Sequence, residues 1–127
     1  MLAGYIDDPD LLWLFGRVID SFETPARPGV GLPLGNLTSQ LLVNVYMNEF
    51  DQFVKRKLKI KFYVRYADDF IFLDVNRGYL VGLIPQIRNF LAESLSLTLH
   101  PRKIFLKTVG SGVDFLGWVL LVSSQAR

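Results

Sequence analysis

Cysteine is absent from the 127 residues, which excludes disulfides and thiolate metal sites. Histidine occurs once, as His100 before Pro101, where a turn role is the simpler reading than a catalytic base. The longest uninterrupted apolar stretches, such as Trp118 to Val122, fall far short of the roughly 20 residues that cross a bilayer. The N-terminus carries Asp7, Asp8 and Asp10, too early and too dense for a signal peptide. The expectation is a cytoplasmic chain with no membrane partner. Internal repeats and low-complexity tracts are also lacking. Half the residues are hydrophobic and 20% are charged, the composition of a folded domain with one sizeable core.

The charge is unevenly distributed. Residues 1–54 hold two basic groups, Arg17 and Arg27, against seven acidic ones; residues 55–107 hold eleven against four. Such a separation hints at a face that meets a polyanion. Lys55, Arg56, Lys57, Lys59 and Lys61 form the densest cluster. Its simplest explanation is a solvated helix end, where cations suit the dipole.

Asp8-Pro9-Asp10 predicts a helix start, and Leu11, Leu12, Leu14, Phe15, Val18 and Ile19 continue at helical spacing to about Ser21. Pro25, Pro28, Gly29, Gly31, Pro33 and Gly35 break the next stretch into turns. A long helix is predicted over about 37–57, with Asn36 as N-cap and a broad apolar face of Val43, Tyr46, Met47, Phe50 and Val54, widened by Leu42, Val45 and Phe53. Ile60, Phe62, Val64 and Tyr66 then alternate with Lys61, Tyr63 and Arg65, and Phe70 to Leu73 follow. Two strands around Ala67-Asp68-Asp69 make a hairpin, with Asp74 capping the turn after it. A third helix is predicted over 77–95, with Leu80, Leu83, Ile84, Ile87, Phe90 and Leu91 inward and Pro85 causing a kink or a late start. Leu97 to Leu99, Ile104 to Lys107 and Val113 to Val122 read as strands, with Gly110-Ser111-Gly112 as a turn. Trp13 and Trp118 are expected in or beside the core, and Glu49 and Asp51 on the wet side of the long helix. The order gives an α+β class, with helices on one face of an antiparallel sheet.

Two segments carry chemistry. Adjacent carboxylates at Asp68 and Asp69 repel by about 4 kcal/mol at 4 Å and an effective dielectric of about 20. A bare Asp-Asp turn facing water tolerates that. Strands rich in Phe, Tyr, Val and Ile on both sides fix this tip, and fixed carboxylates suit Mg²⁺, which takes one or two of them plus substrate phosphates. The second segment is Gly31-Leu32-Pro33-Leu34-Gly35-Asn36-Leu37-Thr38-Ser39-Gln40. It is either an ordinary turn before a helix or a backbone that approaches a flat ligand at a helix N-terminus.

The Gly31 to Gln40 run, Tyr66-Ala67-Asp68-Asp69 and Phe115-Leu116-Gly117, in that order, resemble the prokaryotic reverse transcriptases, in particular the diversity-generating, retron and group II intron group. The resemblance spans about Pro9 to Trp118. It implies a polymerase palm, a ferredoxin-like antiparallel sheet with helices on one face. Residues 1–22 would lead in, 23–108 would form the palm core, and 109–127 a primer-grip-like hairpin, in one partial domain. It implies two Mg²⁺ ions, with Asp68 as metal ligand and Asp69 supporting the same site. Tyr66 and Ala67 would meet the primer end and incoming nucleotide; Pro33, Leu34 and Gly35, with Gln40 on the helix after them, would line the nucleotide and template pocket. Lys103 would assist pyrophosphate departure. The partners would be an RNA template, a DNA primer and dNTPs. Leu34 stands where many relatives have Gln, whereas the subgroup whose segment ends Gly-Asn-Leu-Thr-Ser-Gln often has an aliphatic residue there.

The family has a further catalytic Asp on a strand ahead of this region, and no residue here matches it. The expected palm therefore lacks its first strand, and fingers and thumb segments are missing. The expectation is an RNA-directed DNA polymerase fragment inactive alone. The alternative is a non-catalytic nucleic-acid-binding remnant. An RNA-templated RNA polymerase shares the palm, but Tyr-Ala-Asp-Asp and the Gly31 to Gln40 run argue against it.

Overall fold

A computed structural model describes residues 1–22, 28, 30–32 and 35–121. The chain divides into two compact units, Met1–Lys59 and Ile60–Arg127. Pro25, Gly29 and Val122 lie outside the described residues.

In the first unit, helix α1 spans Pro9–Asp20. The Asp8 carboxylate accepts hydrogen bonds from the backbone N–H groups of Asp10 (2.9 Å) and Leu11 (3.2 Å), satisfying donors that a helix start leaves unpaired. Pro9 at the first position loses nothing, because its missing N–H had no helical partner. No residue of α1 is buried, and Trp13 is 67% exposed. The expectation of a core or core-edge Trp13 is thus overturned: an apolar stripe buries only where another layer covers it.

Helix α2 spans Leu37–Gln52. Asn36 occupies the N-cap position in an extended conformation but makes no side-chain cap bond; its carbonyl accepts from the Ser39 N–H at 3.1 Å. Ser39, Leu42, Met47 and Phe50 are buried, while Tyr46 stays exposed. The helix then widens into a π-helical turn over Phe53–Leu58 and ends at Lys59, whose backbone is left-handed (φ 53°). Phe50 and Val54 are fully buried, worth roughly 1.5–3 kcal/mol each. The Tyr5 hydroxyl accepts from the Asn48 amide at 2.7 Å, tying the short 3₁₀ turn Leu2–Gly4 to the C-terminal half of α2.

The second unit opens with an antiparallel hairpin of β1 (Phe62–Tyr66) and β2 (Asp69–Leu73). The two strands pair as Phe62 with Leu73 through Tyr66 with Asp69. Cross-strand partners share a face. Tyr63, Arg65, Phe70 and Phe72 form the half-buried face, with Tyr63 and Phe72 stacked at 5.2 Å. Phe62, Val64 and Tyr66 form the exposed face together with Asp69. The regularly alternating apolar set is therefore the outward one.

Helix α3 spans Arg77–Leu95. The Asn76 side chain accepts from the Tyr79 N–H at 3.0 Å, and the Asp74 carboxylate accepts from the Asn76 N–H at 2.7 Å, so the expected Asp74 cap is present. The helix begins at Arg77, which excludes the late start considered for Pro85. Pro85 lies inside the helix on its exposed side, while Leu83, Ile87, Leu91 and Leu95 form the buried stripe at helical spacing. Ser96 caps the end in a left-handed conformation, and the Leu97 N–H reaches back to the Leu91 carbonyl at 2.9 Å, the six-residue closure that ends many helices.

The strands expected over Leu97 to Leu99 and Ile104 to Lys107 are not formed. Alternating apolar residues supply a face, but a strand also needs a neighbour for its backbone groups, and these segments have no ladder. The last expected strand is instead a small hairpin, β3 (Val113–Phe115) and β4 (Trp118–Leu120). All three β4 residues are exposed, and Trp118, at 76%, overturns the core expectation as Trp13 does. Among the described residues the strands make two separate two-stranded sheets rather than the single expected sheet. The class is α+β, with small antiparallel sheets and flanking helices. Among the described residues no helix is long and apolar enough to cross a membrane.

Candidate active site

The acidic tip is built by the β1–β2 hairpin. Tyr66 and Asp69 are its last paired residues, leaving Ala67 and Asp68 as a two-residue loop. Ala67 has φ 51°, and Asp68 does not share the positive sign. Positive φ at the first loop residue alone is the sign pattern of a II′ turn, where glycine is usual. Holding alanine there costs about 1–2 kcal/mol. The Arg65 guanidinium opposes it, donating from Nη1 to the Ala67 carbonyl at 2.7 Å. In the sequence Arg65 reads only as the polar half of an alternation; the signal for its role is a long donor two residues before the loop.

Asp68, in the turn, and Asp69, opening β2, are both exposed. Tyr66, Ala67, Asp68 and Asp69 are thus brought together at one tip, as their adjacency requires. Two exposed carboxylates on a paired scaffold supply hard oxygen donors of the kind Mg²⁺ shares with substrate phosphates. They do not make a complete cage: among the described residues no group of three or more His, Asp or Glu side chains could hold a metal.

Lys103 ends a 3₁₀ turn, Pro101–Lys103, with its side chain exposed. Its backbone N–H donates to the His100 carbonyl at 3.0 Å. His100 caps that turn, its Nδ1 accepting from the Arg102 N–H at 3.2 Å. Phe115, Leu116 and Gly117 lie at the β3–β4 tip, with Leu116 and Gly117 as its loop.

In the first unit, Gly31 (φ 121°) and Gly35 (φ 80°) use backbone conformations that disfavour other residues. A Cβ on Gly31 would lie 2.9 Å from the Phe22 ring. Gly35 is exposed, and so is Gln40 on the first turn of α2. Pro33 and Leu34 lie outside the described residues.

The reverse transcriptase (RNA-dependent DNA polymerase) family matches residues 11–120. The chain belongs to that family. Its members are nucleotidyltransferases that use divalent metal ions. No curated protein matches the chain.

Proposed function

We propose that this chain is palm sequence of a prokaryotic-type reverse transcriptase, from a retroelement, with Asp68 and Asp69 as part of its magnesium site. The observation that carries the reading is the Tyr66-Ala67-Asp68-Asp69 tip: two exposed carboxylates held by a two-residue loop on a five-pair hairpin. The other residues take the roles that their motif positions imply. Tyr66 and Ala67 meet the primer end and nucleotide. Pro33, Leu34, Gly35 and Gln40 serve nucleotide and template binding, Lys103 the departing pyrophosphate, and Phe115, Leu116 and Gly117 the primer. The partners are an RNA template, a DNA primer and dNTPs, and the two β-hairpins belong to a palm sheet completed by other strands.

Two magnesium ions, when bound, neutralise charge at the primer hydroxyl and at the leaving pyrophosphate. The protein's part is positioning. A rigid turn holds Asp68 and Asp69, so no reorganisation is needed as charge develops. Among the described residues the two carboxylates do not form a self-sufficient site; on this reading the further carboxylate comes from a segment beyond residues 1–127, and these residues alone are inactive.

The test is templated, Mg²⁺-dependent dNTP incorporation by residues 1–127 and by the same chain extended with its in-frame upstream sequence. Only the extended chain should incorporate, and Asp68→Ala should abolish it. Incorporation by residues 1–127 alone would overturn the incomplete-site reading, and an active Asp68→Ala enzyme would overturn the site assignment. A second reading, a nucleic-acid-binding remnant without catalysis, draws on the same lack of a three-ligand cluster. Duplex binding by the extended chain with no incorporation under any metal would favour it.

A further inference from the structure

The π-helical turn that ends α2 carries Lys55, Arg56 and Lys57, and Lys59 follows at its cap. All four side chains are exposed. The apolar residues of the same stretch turn the other way: Val54 is fully buried and Leu58 is half-buried. The Lys59 N–H closes the turn on the Val54 carbonyl. The four cations are therefore displayed on anchored backbone, not on a loose tail.

Their number exceeds what the helix end requires. A helix C-terminus carries about half a negative charge, against four positive ones within residues 55–59. Opposite-charge partners do not absorb the rest: residues 55–67 contain six basic residues and no acidic one, and none of the four cations makes an ion pair among the described residues. An uncompensated cationic surface of this kind fits a polyanion. A bilayer is the poorer fit, because interfacial helices expose an apolar face beside their cations, and here the apolar residues of the turn itself, Val54 and Leu58, are withdrawn.

We infer that Lys55, Arg56, Lys57 and Lys59 form a phosphate-backbone contact for nucleic acid, distinct from the acidic tip. Choosing nucleic acid over an acidic protein rests on the reverse transcriptase reading; the surface itself does not. Contacts of this type position a strand without reading its sequence. Binding should be insensitive to base sequence and steeply dependent on salt, each neutralised phosphate adding about 0.7–0.9 to the slope of log K against log salt.

The experiment is fluorescence anisotropy of the purified 127-residue chain on a labelled RNA–DNA duplex, without divalent metal or dNTPs, from 50 to 300 mM KCl. Lys55→Gln/Arg56→Gln/Lys57→Gln should lower the salt slope by about 3, about one per cation. Lys55→Arg/Lys57→Arg, which keeps the charge, should leave it unchanged. Circular dichroism confirms that each variant is folded. An unchanged slope in the glutamine variant overturns the proposal. So does binding to phosphatidylserine vesicles or to polyglutamate as tight as binding to the duplex. The readout needs neither metal nor turnover, so its failure is distinguishable from a failure of the magnesium-site assignment.

Discussion

The two hairpins of the second unit solve the same geometric problem differently. Both turn in two residues, and both hold a non-glycine residue at positive φ in the first loop position: Ala67 at 51° and Leu116 at 57°. The β3–β4 hairpin follows with Gly117 at φ 79°, the double-positive pattern of a I′ turn, and closes with three cross-strand pairs. The β1–β2 hairpin follows with Asp68 instead. It closes with five pairs, a stacked Tyr63–Phe72 pair, Phe70 tilted against Phe72 at 5.4 Å, and the Arg65 bond to the Ala67 carbonyl. Strain persists where the surroundings over-determine it. The hairpin that carries the carboxylates has that support, and the one that carries Leu116-Gly117 relies on its glycine.

The sharpest way to break this comparison uses one aspartate from each hairpin. Asp68 sits in the β1–β2 loop, and Asp114 sits exposed on β3 opposite Val119. Titrating Mn²⁺ into the 127-residue chain should broaden the amide resonances of residues 66–70 first. Asp68→Asn should weaken that effect by an order of magnitude or more, since the remaining carboxylate binds alone. Asp114→Asn should leave it unchanged. Equal losses from both would mean that the ion reads overall charge and not the tip.

The next effect is smaller. Replacing Arg65 with Met keeps much of the half-buried stem and removes the donor to the Ala67 carbonyl. Destabilisation of about 1 kcal/mol is expected, discounted for partial exposure. Faster amide exchange should be confined to the β1–β2 turn, with the β3–β4 turn serving as internal reference. Uniformly faster exchange in both hairpins would show that Arg65 acts on the whole unit and not on the loop.

What could be read beforehand divides along physical lines. The local signals were legible: the Asp8-Pro9 start of α1, the Asp74 cap, the tight acidic turn, and the Leu83-Ile87-Leu91-Leu95 stripe, of which Leu95 alone was not assigned inward; the Asn76 cap was not read. Each depends on a few neighbouring residues. Features that require a distant partner were not legible. Leu97 to Leu99 and Ile104 to Lys107 have strand composition but no neighbour to pair with. Trp13 and Trp118 have core composition but no layer above them. The π-helical widening at Phe53–Leu58 has no compositional signature, because the same residues would suit an α-helical turn. At the acidic tip, the adjacency of Asp68 and Asp69 is plain in the sequence, whereas the Arg65 bond is not, because it depends on where a loop carbonyl points.

The last prediction compares the two strained loop residues directly. Leu116 is exposed, so changing it forfeits little burial, and Asn-Gly is the favoured pair for a I′ turn. Leu116→Asn should therefore relieve most of the roughly 1–2 kcal/mol cost of a left-handed leucine and raise the thermal midpoint by a few degrees. Ala67→Gly removes a similar strain, but glycine returns about 0.4–1 kcal/mol through its greater freedom in the unfolded chain, so its net effect on stability should be smaller, below about 1 kcal/mol. Its effect on the tip should run the other way. A glycine hinge beside Asp68 loosens the carboxylates, and Mn²⁺ broadening at residues 66–70 should weaken although the fold is no less stable. If Ala67→Gly instead matches Leu116→Asn in stability and leaves metal binding intact, the alanine is not a positioning device, and the two turns differ only in the residues they happen to carry.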